Sequence, residues 1–291
     1  AKLDIVLGAY WMTKVIPGLK GEGKMFSTPG SAITASDFGA INQRAKILVL
    51  GTGEKKYAEF KGKPFETSVG RLIFNSVLPA DYPYINYEIT RKKMTQLADD
   101  LIDRYGYDHV PEILDRVKKL GFEYATRSGI TWGLDDIKEP DAKPVIVSEA
   151  KKNAKEALEQ YNMGLLSHDE RLRKNIEIWH AAKSRVEKLI PDTLSKQGSV
   201  ADMVLSGARG SLSQITQMAG MKGLIANIAG ETIEFPIISS NKAGLTPIEY
   251  FITTHGSRKG LTDTALNTAK AGYLTRKLFV VSQDVVIGEN N

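Results

Sequence analysis

Hydrophobic and polar positions change character near residue 90. Upstream the pattern is mixed and irregular. Residues 46–50 (KILVL) form a short apolar run bounded by turn residues and predict a strand. Residues 18–30, rich in glycine, lysine and serine, read as loop, and the polar stretch 51–63 as turn and linker. Downstream the period becomes helical. Met94, Leu97, Ala98, Leu101 and Ile102 predict a helix over 92–105, and the pattern repeats over 110–120 before Gly121 and Gly129.

Two further segments carry narrow apolar seams. Val147, Ala150, Ala154, Ala157 and Tyr161 step by three and four residues; Leu172, Ile176, Trp179, Val186 and Ile190 follow the same rhythm, interrupted at Lys183. Gly164 ends the first helix, and Ser167 with Glu170 forms a capping box that starts the second. An alanine-rich seam and a tight turn predict an antiparallel coiled-coil hairpin over about 144–195. Two ordinary amphipathic core helices would give the same spacing.

The last long pattern, residues 246–284, opens with Thr246 placed to cap, Pro247 at the first helical position and Glu249 at the capping-box position. No proline interrupts it, so one helix of about 38 residues, roughly 57 Å long, is predicted. Gly256, Gly260 and Gly272 lie inside it, each weakening a helix by about 1 kcal/mol relative to alanine. Such glycines permit bending or the close approach of another chain. With Arg258, Lys259, Lys270, Arg276 and Lys277 between them, the helix suits a polyanion.

Composition changes this picture little. The chain has 291 residues, 42% hydrophobic and 25% charged, with a formal charge of +5. That is ordinary for a soluble globular protein and compatible with nucleic acid without requiring it. No apolar run approaches the roughly 20 residues of a membrane span, and the N-terminus lacks the pattern of a signal peptide. The absence of an initiator methionine suits an excised segment or a processed chain. Cysteine is absent, so disulfides and thiolate metal sites are excluded within these residues.

Candidate chemistry is sparse. Asp135 and Asp136 are adjacent, follow a glycine and point to opposite faces of an extended chain, so capping or turn formation is expected rather than chelation. His109, His168, His180 and His255 lack metal-ligand spacing. The GLKGEG and GTG stretches open no helix after a convincing strand, and neither ends in the Gly-Lys-Ser/Thr of a phosphate loop. No nucleophile elbow is present. Arg276 and Lys277, with Tyr273 one turn earlier, offer two phosphate-binding charges and a stacking ring, or simply a solvated basic helix end.

The long C-terminal pattern resembles the bridge helix of the bacterial multisubunit RNA polymerase β′ subunit. SGARGSLSQITQMAGMKGL (206–224) resembles its F-loop region, and upstream ETSVGRLIFNSVLP, LGFEYATRSGITWGLDD and the opening DIVLGAYWMT also resemble that subunit, all in the family's order. The resemblance spans nearly the whole chain and looks bacterial at residues 207–210 and 220–224.

It implies an α+β, mainly α-helical fold with four regions. These are a pore-like mixed α/β region (1–88), a funnel with a rim coiled-coil hairpin (89–205), an F-loop region (206–245), and the bridge helix and exit (246–291). By resemblance, Thr268 and Ala269 border the nucleotide-addition site and the template base, and Gly272, Tyr273, Arg276 and Lys277 follow the template strand. Arg258, Lys259 and Gly260 match the basic half. His255 and Thr264 also lie near the active centre, with no proton-transfer role implied for His255. Arg209, Met218, Gly220, Met221 and Gly223 match the supporting F-loop. Leu165, Leu166, His168 and Arg171, at the hairpin tip, match the dock for transcript-cleavage and other secondary-channel factors. Ser257, Asn267 and Phe279 depart from the family's common residues.

The same resemblance implies DNA-templated RNA synthesis by nucleotidyl transfer, with β, α, ω and σ subunits, DNA, RNA and nucleotides as partners, in the bacterial cytoplasm. Catalytic magnesium would be held by a NADFDGD motif upstream of the matched segment. A zinc-binding cysteine cluster would follow the part matching residues 285–291. No catalytic residue or metal ligand is expected within the chain, which is expected to be inactive alone. A factor-docking module without a direct catalytic share is the alternative.

Overall fold

The structure, a computed structural model, describes residues 3–194, 198–286 and 288. In chain order it contains α1 (Asp4–Thr13), β1 (Met25–Phe26), α2 (Pro29–Asp37), β2 (Ile47–Leu50), β3 (Pro64–Thr67), α3 (Val69–Ser76) and α4 (Arg91–Ser128). Then follow α5 (Lys143–Asn162), α6 (His168–Thr193), α7 (Ser199–Leu205), α8 (Leu212–Ala219) and α9 (Pro247–Ser282). Among the described residues helices dominate and the strands form one small three-stranded sheet, so the expected mainly helical α+β class is borne out. By internal contacts the chain divides into two compact units, Ala1–Lys138 with Pro191–Gln214, and Glu139–Ile190 with Ile215–Asn291.

In the first unit β2, the strand expected at 46–50, is central. It runs parallel to β1 (Met25 opposite Leu48) and antiparallel to β3 (Ile47 opposite Thr67). Ile47, Val49, Phe65, Val69, Leu72 and Tyr84 form its core. Three readings depart from the structure, the first being the stretch 18–30 read as loop, which holds β1 and the start of α2 because Met25 and Phe26 pair with β2. α1 is a helix that spacing does not reveal, because Val6, Ala9, Tyr10 and Met12 are buried on several sides and leave no polar stripe. The stretch read as linker holds a 3-10 turn, Lys55–Phe60, whose Lys56 and Tyr57 are buried.

The two helical patterns read at 92–105 and 110–120 lie within α4, which breaks at Gly106 (φ 69°, ψ 172°). There the backbone is in a region that glycine enters without penalty. The break lets Met94, Leu97 and Leu101 share one core with Val110, Ile113 and Val117. A buried ion pair, Lys14 Nζ to Asp202 Oδ1 at 2.5 Å, fastens α7 beside the end of α1.

In the second unit α5 and α6 form the expected hairpin. Gly164 turns at φ 75°. Ser167 and Glu170 cap α6 reciprocally, the Ser167 amide donating to Glu170 Oε2 at 2.8 Å and the Glu170 amide to Ser167 Oγ at 3.3 Å. Arg185 bonds Glu149 at 2.7 Å and Lys174 bonds Gln160 at 2.8 Å, so each step back along α5 meets an equal step forward along α6. That is antiparallel register. The seam interrupted at Lys183 is continuous in space, because Ala182 takes the inward place between Trp179 and Val186. In the first unit, residues 134–136 form a 3-10 turn in which Asp136 accepts from the Gly133 amide at 2.7 Å, the turn-forming role expected of that acidic pair.

Candidate functional site

α9 begins as its sequence dictates. Thr246 Oγ1 accepts from the Glu249 amide at 3.4 Å, and Glu249 Oε2 accepts from the Thr246 amide at 3.0 Å. The Glu249 carboxylate does more than cap. It also accepts from the amides of Ile238 and Ser239, each at 3.2 Å, and from Ser239 Oγ at 2.8 Å. Burial by itself would raise its pKa, but these bonds from Thr246 and Ser239 outweigh that and hold it at about 2. An anion at a helix N-terminus is also favoured by the helix dipole.

Ile238 and Ser239 belong to a strap, residues 223–239, that folds back on itself through antiparallel bridges between Gly223 and Ile237 and between Ala226 and Thr232. The strap runs beside the first three turns of α9. Ile225 meets Gly256, where an added Cβ would lie 3.1 Å from Ile225 Cγ2. Lys259 Nζ reaches the Asn227 carbonyl at 3.5 Å. From Gly260 to Val286 every described residue is exposed.

The strap is fastened to the helical hairpin as well. Met221 is fully buried among Ile146, Ala150, Trp179, Ala182 and Val186. A Cβ on Gly220 would lie 2.9 Å from Val186 Cγ1, so glycine there lets the chain pass close to α6. Gly223, at φ +79°, rests on the Lys183 side chain. At the strap's end the Ser240 hydroxyl donates to Glu139, which also accepts from Lys143 at 3.2 Å.

Farther out, Arg171 Nη1 and Nη2 donate to the two Glu234 oxygens at 2.7 and 2.8 Å. The Arg171 guanidinium also lies 5.3 Å from the centre of the Tyr161 ring.

These contacts place the sequence-predicted residues in distinct groups. Gly220, Met221 and Gly223 join the strap to the hairpin, and the Met218 carbonyl accepts from the Lys242 amide at 3.0 Å. Arg209 belongs to the first unit and is exposed. His255 is half-buried with its ring edge-on to Phe251 at 5.9 Å, and Lys259 engages the strap.

Arg258, Gly260, Thr264, Thr268, Ala269, Gly272, Tyr273, Arg276 and Lys277 all lie on exposed helix surface. The Thr264 and Thr268 hydroxyls donate back to the carbonyls of Gly260 and Thr264, at 2.8 and 2.7 Å, and so leave mainly their methyl groups to a neighbour. Lys277 Nζ lies 4.2 Å from the centre of the Tyr273 ring, covering the surface expected to stack. At the hairpin tip Leu165 is 71% exposed and His168 exposed, while Leu166 is half-buried. Arg171, expected at the open tip, is instead held by Glu234.

Sequence reading passed over the strap's working residues, Ile225, Asn227, Glu234 and Ser239. Their partners are distant along the chain, so no local spacing marks them.

Three sequence families match in tandem: RNA polymerase Rpb1, domain 3, over residues 2–137; domain 4, over 147–255; and domain 5, over 244–291. A DNA-directed RNA polymerase subunit beta' from Acidothermus cellulolyticus is 44% identical over 99% of the chain. One from Desulforudis audaxviator is 43% identical over 98%. The chain belongs to the RNA polymerase β′ family. It corresponds to an internal β′ segment, spanning 23% and 24% of the length of those two relatives. A β′ subunit from a Sulfurihydrogenibium species is 41% identical over 98% of the chain and 18% of its own length. The family resemblance carried by the sequence motifs is thereby borne out.

Proposed function

We propose that the chain is the β′ segment that positions the template base and the incoming ribonucleotide during DNA-directed RNA synthesis, with α9 as bridge helix and the strap as its support. One observation carries this reading: beyond Gly260 every described residue of the helix is exposed, and Leu261, Leu266, Tyr273, Leu274, Leu278 and Phe279 lie open beside Lys270, Arg276 and Lys277. A helix that is apolar and basic around its whole circumference is suited to enclosure by other chains and a polyanion.

Its share in nucleotidyl transfer is positioning. Holding a 3′ hydroxyl, template base and triphosphate in line removes much of the entropic barrier to phosphoryl transfer. Small residues at Thr268 and Ala269 leave room for a base pair against the helix, and Arg276 and Lys277 face template phosphates. Magnesium supplies charge stabilisation at the reacting phosphates in such chemistry. Among the described residues no three His, Asp or Glu side chains are grouped to hold an ion, so no step here is assigned to one, and the aspartates of the complete subunit would carry the metal. Zinc would likewise lie outside these residues.

In this reading residues 1–88 form the pore-like region, 89–205 the funnel with its rim hairpin, 206–245 the F-loop region and 246–291 the bridge helix and exit. The partners are the β, α, ω and σ subunits, DNA, RNA and nucleotides, in the bacterial cytoplasm. Among the described residues no helix is long and apolar enough to cross a membrane.

The exposed tip formed by Leu165 and His168 supports a second role, docking factors that enter the secondary channel. The two roles separate in the complete enzyme. Arg276→Ala and Thr268→Val lower the nucleotide-addition rate without factors present. Leu165→Ala with His168→Ala leaves that rate intact and removes factor response. Unchanged nucleotide addition in both α9 variants overturns the positioning role.

A further inference from the structure

The hairpin tip and the start of α9 are linked by an unbroken run of contacts within the second unit. Tyr161, at the end of α5, lies under the Arg171 guanidinium. Arg171, one turn into α6, holds both oxygens of Glu234. Four residues along the strap, Ile238 and Ser239 give their amides to Glu249, which caps α9. The strap is also fastened at Met221, Gly223 and Ser240, and Leu224 and Ile238 pack against the hairpin core, whereas Glu234 holds the returning limb farther toward the tip.

The geometry of the pair is selective. A bidentate guanidinium–carboxylate bond fixes orientation as well as distance, which a lysine would not do. The Arg171 side chain is 17% exposed and that of Glu234 37%, so the pair is partly shielded from water and salt, on its arginine side. The strap between Glu234 and Ser239 contains Pro236, whose fixed φ stiffens the connection. A displacement of Arg171 therefore reaches Ile238 through a short, stiff segment.

We propose that Arg171 is a positioning residue: through Glu234 it sets the seat of the strap, and through the strap it sets the capped first turn of α9. A partner that shifts Tyr161 against α6 at the hairpin tip would act on α9 by this route. The functional consequence rests on the reading of α9 as the bridge helix; the mechanical link does not.

The test is amide hydrogen exchange on the 291-residue chain, comparing Arg171→Ala, Arg171→Lys, Glu234→Ala and the Arg171→Ala/Glu234→Ala double variant. The Ile238 and Ser239 amides are expected to exchange about fivefold faster or more in each alanine variant, a usual size for coupled sites. The double variant should match either single one, since both break the same link. Arg171→Lys should restore part of the protection. Amides of α6 between Trp179 and Val186, unchanged in every variant, show that the hairpin stays folded. Faster exchange confined to residues 233–235, or additive effects in the double variant, overturns the proposal.

A second arm uses the complete polymerase. Arg171→Ala should lower nucleotide addition at saturating nucleotide. If exchange is coupled and addition is unchanged, the link stands and the bridge-helix reading fails.

Discussion

Gly8 and Gly121 bring α1 and α4 into direct backbone contact. A Cβ built on Gly8 would lie 1.9 Å from the Gly121 carbonyl oxygen and 2.6 Å from the Ala125 amide nitrogen. Neither neighbour is the end of a flexible side chain, so neither can move aside without shifting a helix. Gly8→Ala is therefore expected to destabilise the first unit by about 3 kcal/mol, the upper range of overpacking effects. Chemical unfolding followed by exchange of α1 and α4 amides measures it. A loss below about 1 kcal/mol would mean the helices separate more easily than their packing implies.

Glu249 gives a prediction with a definite sign in pH. Its carboxyl is held at about 2 in the folded chain, against an ordinary glutamate value near 4.3 when unfolded. A depressed folded pKa contributes stability that is complete above the unfolded value and is lost as pH falls through the folded one. Glu249→Gln should thus weaken protection of the first turns of α9 at pH 7. The difference from the parent chain should shrink between about pH 4 and pH 2. A difference that stays constant across that range would assign the effect to shape rather than charge.

Lys56 is a buried lysine whose ammonium donates to the Asn75 and Leu78 carbonyls at 2.5 and 3.1 Å, closing the C-terminal end of α3. Burial pulls its pKa below the ordinary lysine value, against the opposing influence of Glu54 and Asp81. Lys56→Met keeps the stem and removes the donor. Leaving two carbonyls without it should cost about 1–3 kcal/mol, read from the urea midpoint of the first unit.

The glycines of α9 divide by what surrounds them. Gly272 has open space around it, whereas Gly256 has Ile225 beside it. In the chain alone Gly272→Ala should therefore raise helicity near that site, by up to about 1 kcal/mol of propensity. Gly256→Ala should gain less or lose, because Ile225 must yield. Circular dichroism and site-resolved exchange compare the two. An equal gain at both positions would remove the close approach of the strap as the reason for Gly256.

Exchange along α9 itself should be uneven. Glu249, Gly256 and Lys259 touch the strap, whereas every residue from 260 to 282 is exposed. Amides in the second stretch should exchange faster than those of the α5–α6 hairpin. Equal protection would mean that the exposed stretch gains support not visible in its contacts.

Much of the helical architecture was legible because its signals are local. The capping boxes at Thr246–Glu249 and Ser167–Glu170, the turn at Gly164 and the strand at 46–50 each depend on a few neighbouring residues, and each formed as read. α1 was not legible, since a helix buried on several sides has no polar stripe to give its period. The Lys55–Phe60 turn was hidden for the opposite reason: Lys56 looks solvated until its distant carbonyl partners are in place.

The sequence by itself determined the family, the long capped helix with its basic and small residues, and the antiparallel hairpin, because motif order and periodicity are properties of the chain read in line. Only the tertiary structure decided that Arg171 is held by Glu234 rather than offered at the tip, and that Glu249 gathers the strap as well as capping α9. It also decided which helix glycines meet a neighbour. Those outcomes depend on residues ten to sixty-three positions apart in the chain meeting in space, and no local pattern encodes such a meeting.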